Sequence, residues 1–108
     1  MEWEMAKEVG YKPITNLWTN FTLAEAFGEE AIKSTAEYSF NKYKDNILYL
    51  TELIMVLNHK CWYWNDNSKP ELTRLYINLY YQYDDKAINY IEKNMPKDSM
   101  KYYFNVLD

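Results

Sequence analysis

The residues with the clearest chemical potential are His59 and Cys61, each the only residue of its type in the chain. A zinc site needs four protein ligands, or three with a bound water, so this pair alone is too small for one. Two positions apart on a helix, the two side chains also point in different directions. The surrounding apolar stripe predicts that Cys61 is a small core residue, and polar neighbours predict that His59 is half-exposed. The sequence therefore predicts no catalytic centre, no metal site and no cofactor.

Two pairs of adjacent acids, Glu29-Glu30 and Asp84-Asp85, are the other candidates. Neighbouring side chains on a helix diverge by about 100°, so neither pair forms an acid/base dyad by itself. Glu29 and Glu30 are explained by the positive end of a helix that begins there. The second pair follows a run of tyrosines, which makes an acidic-aromatic surface rather than a catalytic site. We expect a protein that is not an enzyme.

Composition and charge predict one domain over residues 1–108. Apolar and aromatic residues make up 48% of the chain, and only two glycines and three prolines interrupt it, which favours long regular elements. The lone cysteine excludes an internal disulfide and fits a reducing compartment. No signal peptide is visible, and no apolar run approaches the roughly 20 residues of a membrane span. We expect a cytoplasmic protein that does not enter membranes.

The distribution of charge argues against direct nucleic-acid binding. The net charge is −4, and residues 1–30 carry six acids and two bases. Only one of the twelve basic residues is Arg, whereas sequence-independent binding to nucleic acid needs clustered Lys and Arg. The expected partner is therefore a protein.

Helix signals follow the chain from residue 22 onwards. The segment before them, residues 1–20, lacks a period, which predicts an irregular arm or a short helix. Two capping boxes, Thr22 to Glu25 and Ser68 to Glu71, predict helices that begin at those hydroxyls. Residues 29–64 carry apolar residues at intervals of three and four. They form either two helices with a turn at Asp45-Asn46 or one long helix, and the sequence leaves both open.

The clearest periodicity lies in residues 47–64, where apolar residues on several faces predict a central, buried helix. Leu50, Ile54 and Leu57 are its predicted core. A further helix runs from about residue 69 to residue 95. Pro96 ends it, and a last short helix, with Met100, Tyr103, Phe104 and Leu107 over the core, follows. The predicted fold is an all-α compact bundle of four to five helices.

A resemblance supplies a biological setting. The segments YLTELIMVLNHK (49–60) and LYINLY (75–80), together with residues 24–31, resemble small orphan helical proteins of phages and mobile elements in gut bacteria. The resemblance implies no residue roles. It implies a setting in which small proteins often inhibit host defence enzymes, as anti-CRISPR proteins do.

Aromatic content suggests how such a protein could act. Twelve Tyr, four Trp and four Phe make up 19% of the chain, more rings than a small helical domain can easily bury. Surface Tyr and Trp dominate protein interfaces. We expect a partner-binding surface of rings and acids with six candidate residues: Trp3, Trp18, Tyr80, Tyr81, Asp84 and Asp85.

Two functions are compatible with these observations. The first is a small protein-binding inhibitor that blocks a nucleic-acid-handling host defence complex through its acidic-aromatic surface. The alternative is a self-associating structural or accessory protein, in which the surplus rings are buried in a homodimer.

Overall fold

The computed structural model describes residues 14–107, and within them five helices pack around a shared core. The helices are α1 (Leu17–Phe27), α2 (Glu29–Tyr43), α3 (Ile47–Asp66), α4 (Pro70–Asn94) and α5 (Asp98–Leu107). None of the described residues forms a β-strand. The predicted all-α bundle of four to five helices is confirmed.

The central element is α3, which contacts each of the other four helices. Leu50, Ile54 and Leu57 have no exposed surface, as predicted. Apolar residues on the flanks of this stripe meet different neighbours, and α3 is therefore covered on most sides. The prediction that this helix is the most buried element is confirmed.

The first helix begins earlier than predicted. It starts at Leu17, and the Thr22 hydroxyl donates within the helix to the carbonyl oxygen of Trp18 at 2.9 Å instead of capping a helix end. Leu17 and Phe21, one turn apart, are both fully buried, so burial extends the helix upstream. The predicted capping box at Thr22 is wrong.

A buried acid holds the segment that leads into α1. The predicted irregular arm at 1–20 overlaps the first turn of α1, and residues 1–13 lie outside the described residues. Glu52 of α3, only 2% exposed, accepts hydrogen bonds from the Ile14 amide at 2.9 Å and from the Thr15 hydroxyl. These bonds fix the start of α1 against the central helix.

Residues 29–64 form two helices, so the single long helix is wrong. The chain passes from α1 to α2 at Gly28, whose φ of +115° lies in a region that L side chains rarely adopt. Between α2 and α3, the Asn46 side chain accepts from the amides of Leu48 at 3.1 Å and Tyr49 at 3.3 Å. This cap starts a new helix at Ile47 and breaks the continuous pattern.

The connection between α3 and α4 differs from the predicted capping box. Ser68 makes no capping hydrogen bond; it has a φ of +57° and ends α3. The Ser68 amide bonds to the Asn65 carbonyl at 3.2 Å and the Lys69 amide to the Trp64 carbonyl at 2.9 Å, the pair of bonds that defines a Schellman motif. Ser68 is therefore used to end one helix and cannot begin the next. Pro70 does lie in the first turn of α4, as predicted.

The last helix places one residue, Tyr103, fully inside the core. Tyr103 is fully buried, and its hydroxyl donates to Asp84 of α4. Met100 and Leu107 pack against the core, whereas Phe104 is 43% exposed and the prediction that it covers the core is wrong.

Candidate partner-binding surface

A groove runs along the outer side of the α3–α4 pair. The two helices are joined by three residues, so they run antiparallel and side by side. The groove between them has a volume of about 350 Å³ and is lined by eight uncharged side chains: Asn58, Cys61, Trp62, Asn65, Thr73, Ile77, Tyr80 and Tyr81. We call this surface the α3–α4 groove.

Large apolar side chains stand exposed along the α3–α4 groove. Tyr81 is 63% exposed, Trp62 50% and Ile77 39%. Tyr80 is half-buried, and its ring meets that of Tyr81 edge to face with 5.4 Å between centroids. Grouped exposure of this kind marks interaction surfaces, because single exposed apolar residues are common but clusters of them are not.

The floor of the groove is chemically inert. Cys61 is only 8% exposed, as predicted for a core residue, and burial raises the pKa of its thiol to about 11. Its sulfur lies 3.9 Å from the Thr73 carbonyl oxygen. A thiol with this pKa is protonated at neutral pH and is a poor nucleophile. The groove is thus suited to binding rather than to covalent chemistry.

Each helix of the groove carries one exposed acid a turn beyond a ring that lines the groove. Asp66 follows Trp62 by one turn on α3, and Asp85 follows Tyr81 by one turn on α4; both acids are exposed. Residues four apart lie on the same face of a helix. Because the helices are antiparallel, these two positions lie toward opposite ends of the groove, and the cleft that adjoins the groove at the loop end is lined by two basic side chains as well.

Four of the six predicted contact residues come together on α4, in different roles. Tyr80 and Tyr81 line the α3–α4 groove. Asp85 is exposed, whereas Asp84 is half-buried and accepts the hydrogen bond of Tyr103. Asp84 therefore holds α5 in place, and only Asp85 presents its charge beside the rings.

The other two predicted contact residues do not join this surface. Trp18 lies on α1, half-buried, with the Lys60 ammonium 3.9 Å from its ring centroid. Its ring also meets that of Tyr63 edge to face at 5.6 Å. Trp3 lies outside the described residues.

Sequence reasoning missed the buried ion pair formed by Glu25 of α1 and Lys60 of α3. The Lys60 ammonium lies 3.1 Å from a carboxylate oxygen of Glu25 and donates to the Thr22 hydroxyl at 2.8 Å. The same carboxylate accepts from the Trp64 indole at 2.9 Å and from the Tyr76 hydroxyl at 2.5 Å. The side chain of Lys60 is 1% exposed and that of Glu25 is 8% exposed.

The cluster formed by Glu25 and Lys60 stabilises the packing of helices. Burial lowers the pKa of Lys60, while the nearby Glu25 carboxylate raises it and opposes part of that shift. Burial, with the hydrogen bond to Glu25, raises the pKa of Tyr76. No face of the ammonium is open to a substrate, so the cluster joins α1 to α3 and α4. The sequence carries a signal for the burial of Lys60 but not for its partner: Lys60 follows the buried Val56 by one turn on a helix with little solvent-facing surface.

The predicted half-exposure of His59 is wrong. The side chain is 5% exposed, because α3 is covered on the face that the sequence left polar, and burial lowers its pKa to about 4. The imidazole is therefore neutral at physiological pH. Across residues 14–107, no three side chains of His, Cys, Asp or Glu gather where they could hold a metal ion.

Within the described residues, no helix has the length and apolar character needed to cross a membrane. No family model, curated protein or solved structure matches the chain. Its function therefore has to be inferred from its own surfaces.

Proposed function

We propose that this protein acts by binding another protein in the α3–α4 groove. The observation that carries the proposal is the cluster of Trp62, Ile77 and Tyr81, exposed around an uncharged cleft. Trp and Tyr are enriched among the few residues that dominate the binding energy of protein interfaces, because they bury large areas with little loss of conformational entropy.

The partner is a basic protein segment that carries an apolar side chain. The apolar side chain fills the groove, and Lys or Arg on either side meets Asp66 and Asp85. Such complementarity raises association rates and selects partners by charge. Two copies of the α3–α4 groove would instead bring these acids toward each other, which disfavours a homodimer through this surface.

The resemblance to mobile-element proteins supports a specific class of partner, the nucleic-acid-handling complexes of host defence. These complexes bind nucleic acid in channels rich in Lys and Arg. A small protein seated at such a channel excludes the nucleic acid and inhibits the complex without any catalysis. The proposed role is thus an inhibitor that works by occupation, as anti-CRISPR proteins do.

Affinity capture from a host that carries a defence complex tests this proposal. The wild-type chain should recover a basic nucleic-acid-binding protein, and Trp62→Ser or Tyr81→Ser should abolish recovery. Asp85→Lys should weaken recovery at low salt, and half-molar salt should weaken the wild-type complex. Tyr102→Ser is the matched control, because Tyr102 is an exposed ring (37%) on α5 that does not line the groove.

Inhibition itself is measured with the purified partner. Added wild-type protein should displace labelled nucleic acid from the partner, and Tyr81→Ser should not. Recovery that survives both ring substitutions and half-molar salt would place the binding surface elsewhere. A partner that keeps its nucleic acid would remove the inhibitory role.

A further inference from the structure

A second apolar surface lies between α1 and α2. Phe27 is 84% exposed, Tyr38 66% and Leu23 60%. They border a groove of about 450 Å³ whose nine lining side chains are all uncharged. This α1–α2 groove shares no lining residue with the α3–α4 groove.

A row of residues beside the α1–α2 groove is complementary in charge and size to a second, antiparallel copy of the same row. Glu30, Ser34, Tyr38 and Lys42 follow one another at four-residue intervals on α2, so they form one stripe along the helix. The acid and the base stand at opposite ends, about 18 Å apart. When a second copy of the stripe is turned end to end, Glu30 faces Lys42 and Ser34 faces Tyr38.

Both charges at the ends of the stripe can accept an outside partner. The Glu30 side chain is 90% exposed, and its only ion pair among the described residues is a long one, 3.7 Å, to Lys33. Lys42 is exposed, and its ammonium lies 5.3 Å from the Tyr43 ring centroid and 5.8 Å from that of Tyr38, with no acidic partner among residues 14–107. The stripe carries one charge of each sign, so it offers no net attraction to the basic segment that suits the α3–α4 groove.

We propose that the α1–α2 groove binds a second copy of this chain, with the two α2 helices antiparallel about a two-fold axis. Such an isologous interface uses the same patch on both copies. Each Tyr38 ring lies on the small Ser34 of the other copy, and each Phe27 ring fills the other copy's groove. The dimer then carries two α3–α4 grooves and can engage two partner sites at once.

The apolar area of this surface indicates how tightly the dimer should bind. Phe27 and Tyr38 together expose roughly 300 Å², and Leu23 adds to this, which matches the largest apolar patches of soluble proteins. Stable dimers bury about 800 Å² on each copy, so the flanking polar residues of α1 and α2 must contribute. We expect a dimer that dissociates at about micromolar concentration.

Sedimentation of the full chain over micromolar to near-millimolar concentrations tests the proposal. The wild type should pass from monomer to dimer. Glu30→Lys or Lys42→Glu should each weaken the dimer about tenfold, because two favourable pairs become two like-charge contacts in a symmetric interface. An equimolar mixture of the two variants should form a heterodimer, since each repelling end then meets an opposite charge. The double variant should regain the wild-type dissociation constant.

Further variants separate loss of the dimer from loss of the fold. Phe27→Ser should abolish the dimer while leaving the helical content and thermal unfolding unchanged, and Tyr102→Ser should leave the dimer intact. A wild type that stays monomeric at every concentration overturns the proposal. So does a dimer that is indifferent to Phe27→Ser and to both charge reversals.

The result of the dimer test does not depend on whether the α3–α4 groove binds a partner protein. Phe27→Ser keeps the α3–α4 groove, so its affinity for an isolated partner segment should equal that of the wild type. Tyr81→Ser should behave in the opposite way: it should lose partner binding and still form the dimer. The two proposals can therefore be confirmed or refuted separately.

Discussion

Removal of the ammonium from the buried ion pair should be the most damaging single change of charge in the bundle. Lys60→Met retains most of the side-chain volume and leaves the Glu25 carboxylate, 8% exposed, without its cation. Removing one partner from a buried pair costs about 3–5 kcal/mol. The total stability of a domain is about 5–15 kcal/mol, so the variant should lose a large part of it. In urea, followed by circular dichroism, the unfolding midpoint should fall by about 2 M or more.

A matched control isolates burial as the cause. Lys33 lies 3.2 Å from Glu29, nearly the distance in the buried pair, but these side chains are 47% and 63% exposed. Solvent screens this surface pair, so Lys33→Met should move the midpoint little. Glu25→Gln combined with Lys60→Met should cost less than the sum of the single losses, because no charge is then left alone. Equal midpoint shifts for Lys60→Met and Lys33→Met would refute the reasoning and mean that Lys60 is hydrated in solution.

Four further predictions concern single positions. Burial lowers the pKa of His59 to about 4, so on acidification the unfolded chain takes up this proton first. The wild type should therefore lose about 2 kcal/mol more than His59→Gln between pH 7.5 and pH 5. An imidazole that titrates near pH 6.5 by NMR would contradict this. Leu57→Ala should cost about 2–5 kcal/mol in thermal unfolding, and a smaller loss would mean that the site collapses around the truncated side chain. In urea unfolding, Asn46→Ala should lower the free energy of unfolding by about 1 kcal/mol, because α3 loses its cap. Ser68→Gly should raise it by about 1 kcal/mol, because glycine adopts a positive φ without strain. A Ser68→Gly variant less stable than the wild type would mean that the Ser68 side chain has a capping role after all.

The sequence predicted helices correctly where a single local pattern determined them. It did not predict helix ends correctly where a capping pattern competed with another interaction. The spacing within α3 predicts burial correctly because hydrophobic periodicity and tertiary packing agree there. At Thr22 the capping pattern is present, but the burial of Leu17 starts the helix earlier. At Ser68 the pattern is present again, but the residue closes the preceding helix in a left-handed conformation. In both cases the deciding interaction involves residues upstream of the capping motif.

The candidate surface was predictable in kind but only partly in place. A surplus of rings indicates that some are exposed, and Tyr80 and Tyr81 do line the α3–α4 groove. Trp62 sits on an apolar helix face that spacing alone assigns to the core, because its exposure depends on where α4 leaves that face uncovered. The pair formed by Glu25 and Lys60 joins residues 35 positions apart, and no local pattern indicates such a contact.

Asp84 and Asp85 are adjacent acids on α4 with different roles, because their side chains point about 100° apart around the helix. Asp84 is half-buried and accepts the hydrogen bond of the fully buried Tyr103, whereas Asp85 is exposed. Burial and this hydrogen bond raise the pKa of Tyr103, so the phenol remains a donor at neutral pH. Asp84→Ala should cost about 1–3 kcal/mol, because the hydroxyl loses its acceptor inside the core.

The same substitution at the neighbouring position should leave stability almost unchanged and affect binding instead. Asp85→Ala removes a solvated carboxylate beside Tyr81, so its urea midpoint should match the wild type while its affinity for a basic partner falls. Equal loss of stability in the two alanine variants would mean that Tyr103 does not depend on Asp84. Because the two side chains diverge around the helix, one acid can hold α5 to the bundle while the next presents charge at the groove. Removing the charge of Asp85 alone therefore tests the proposed surface without disturbing the fold that supports it.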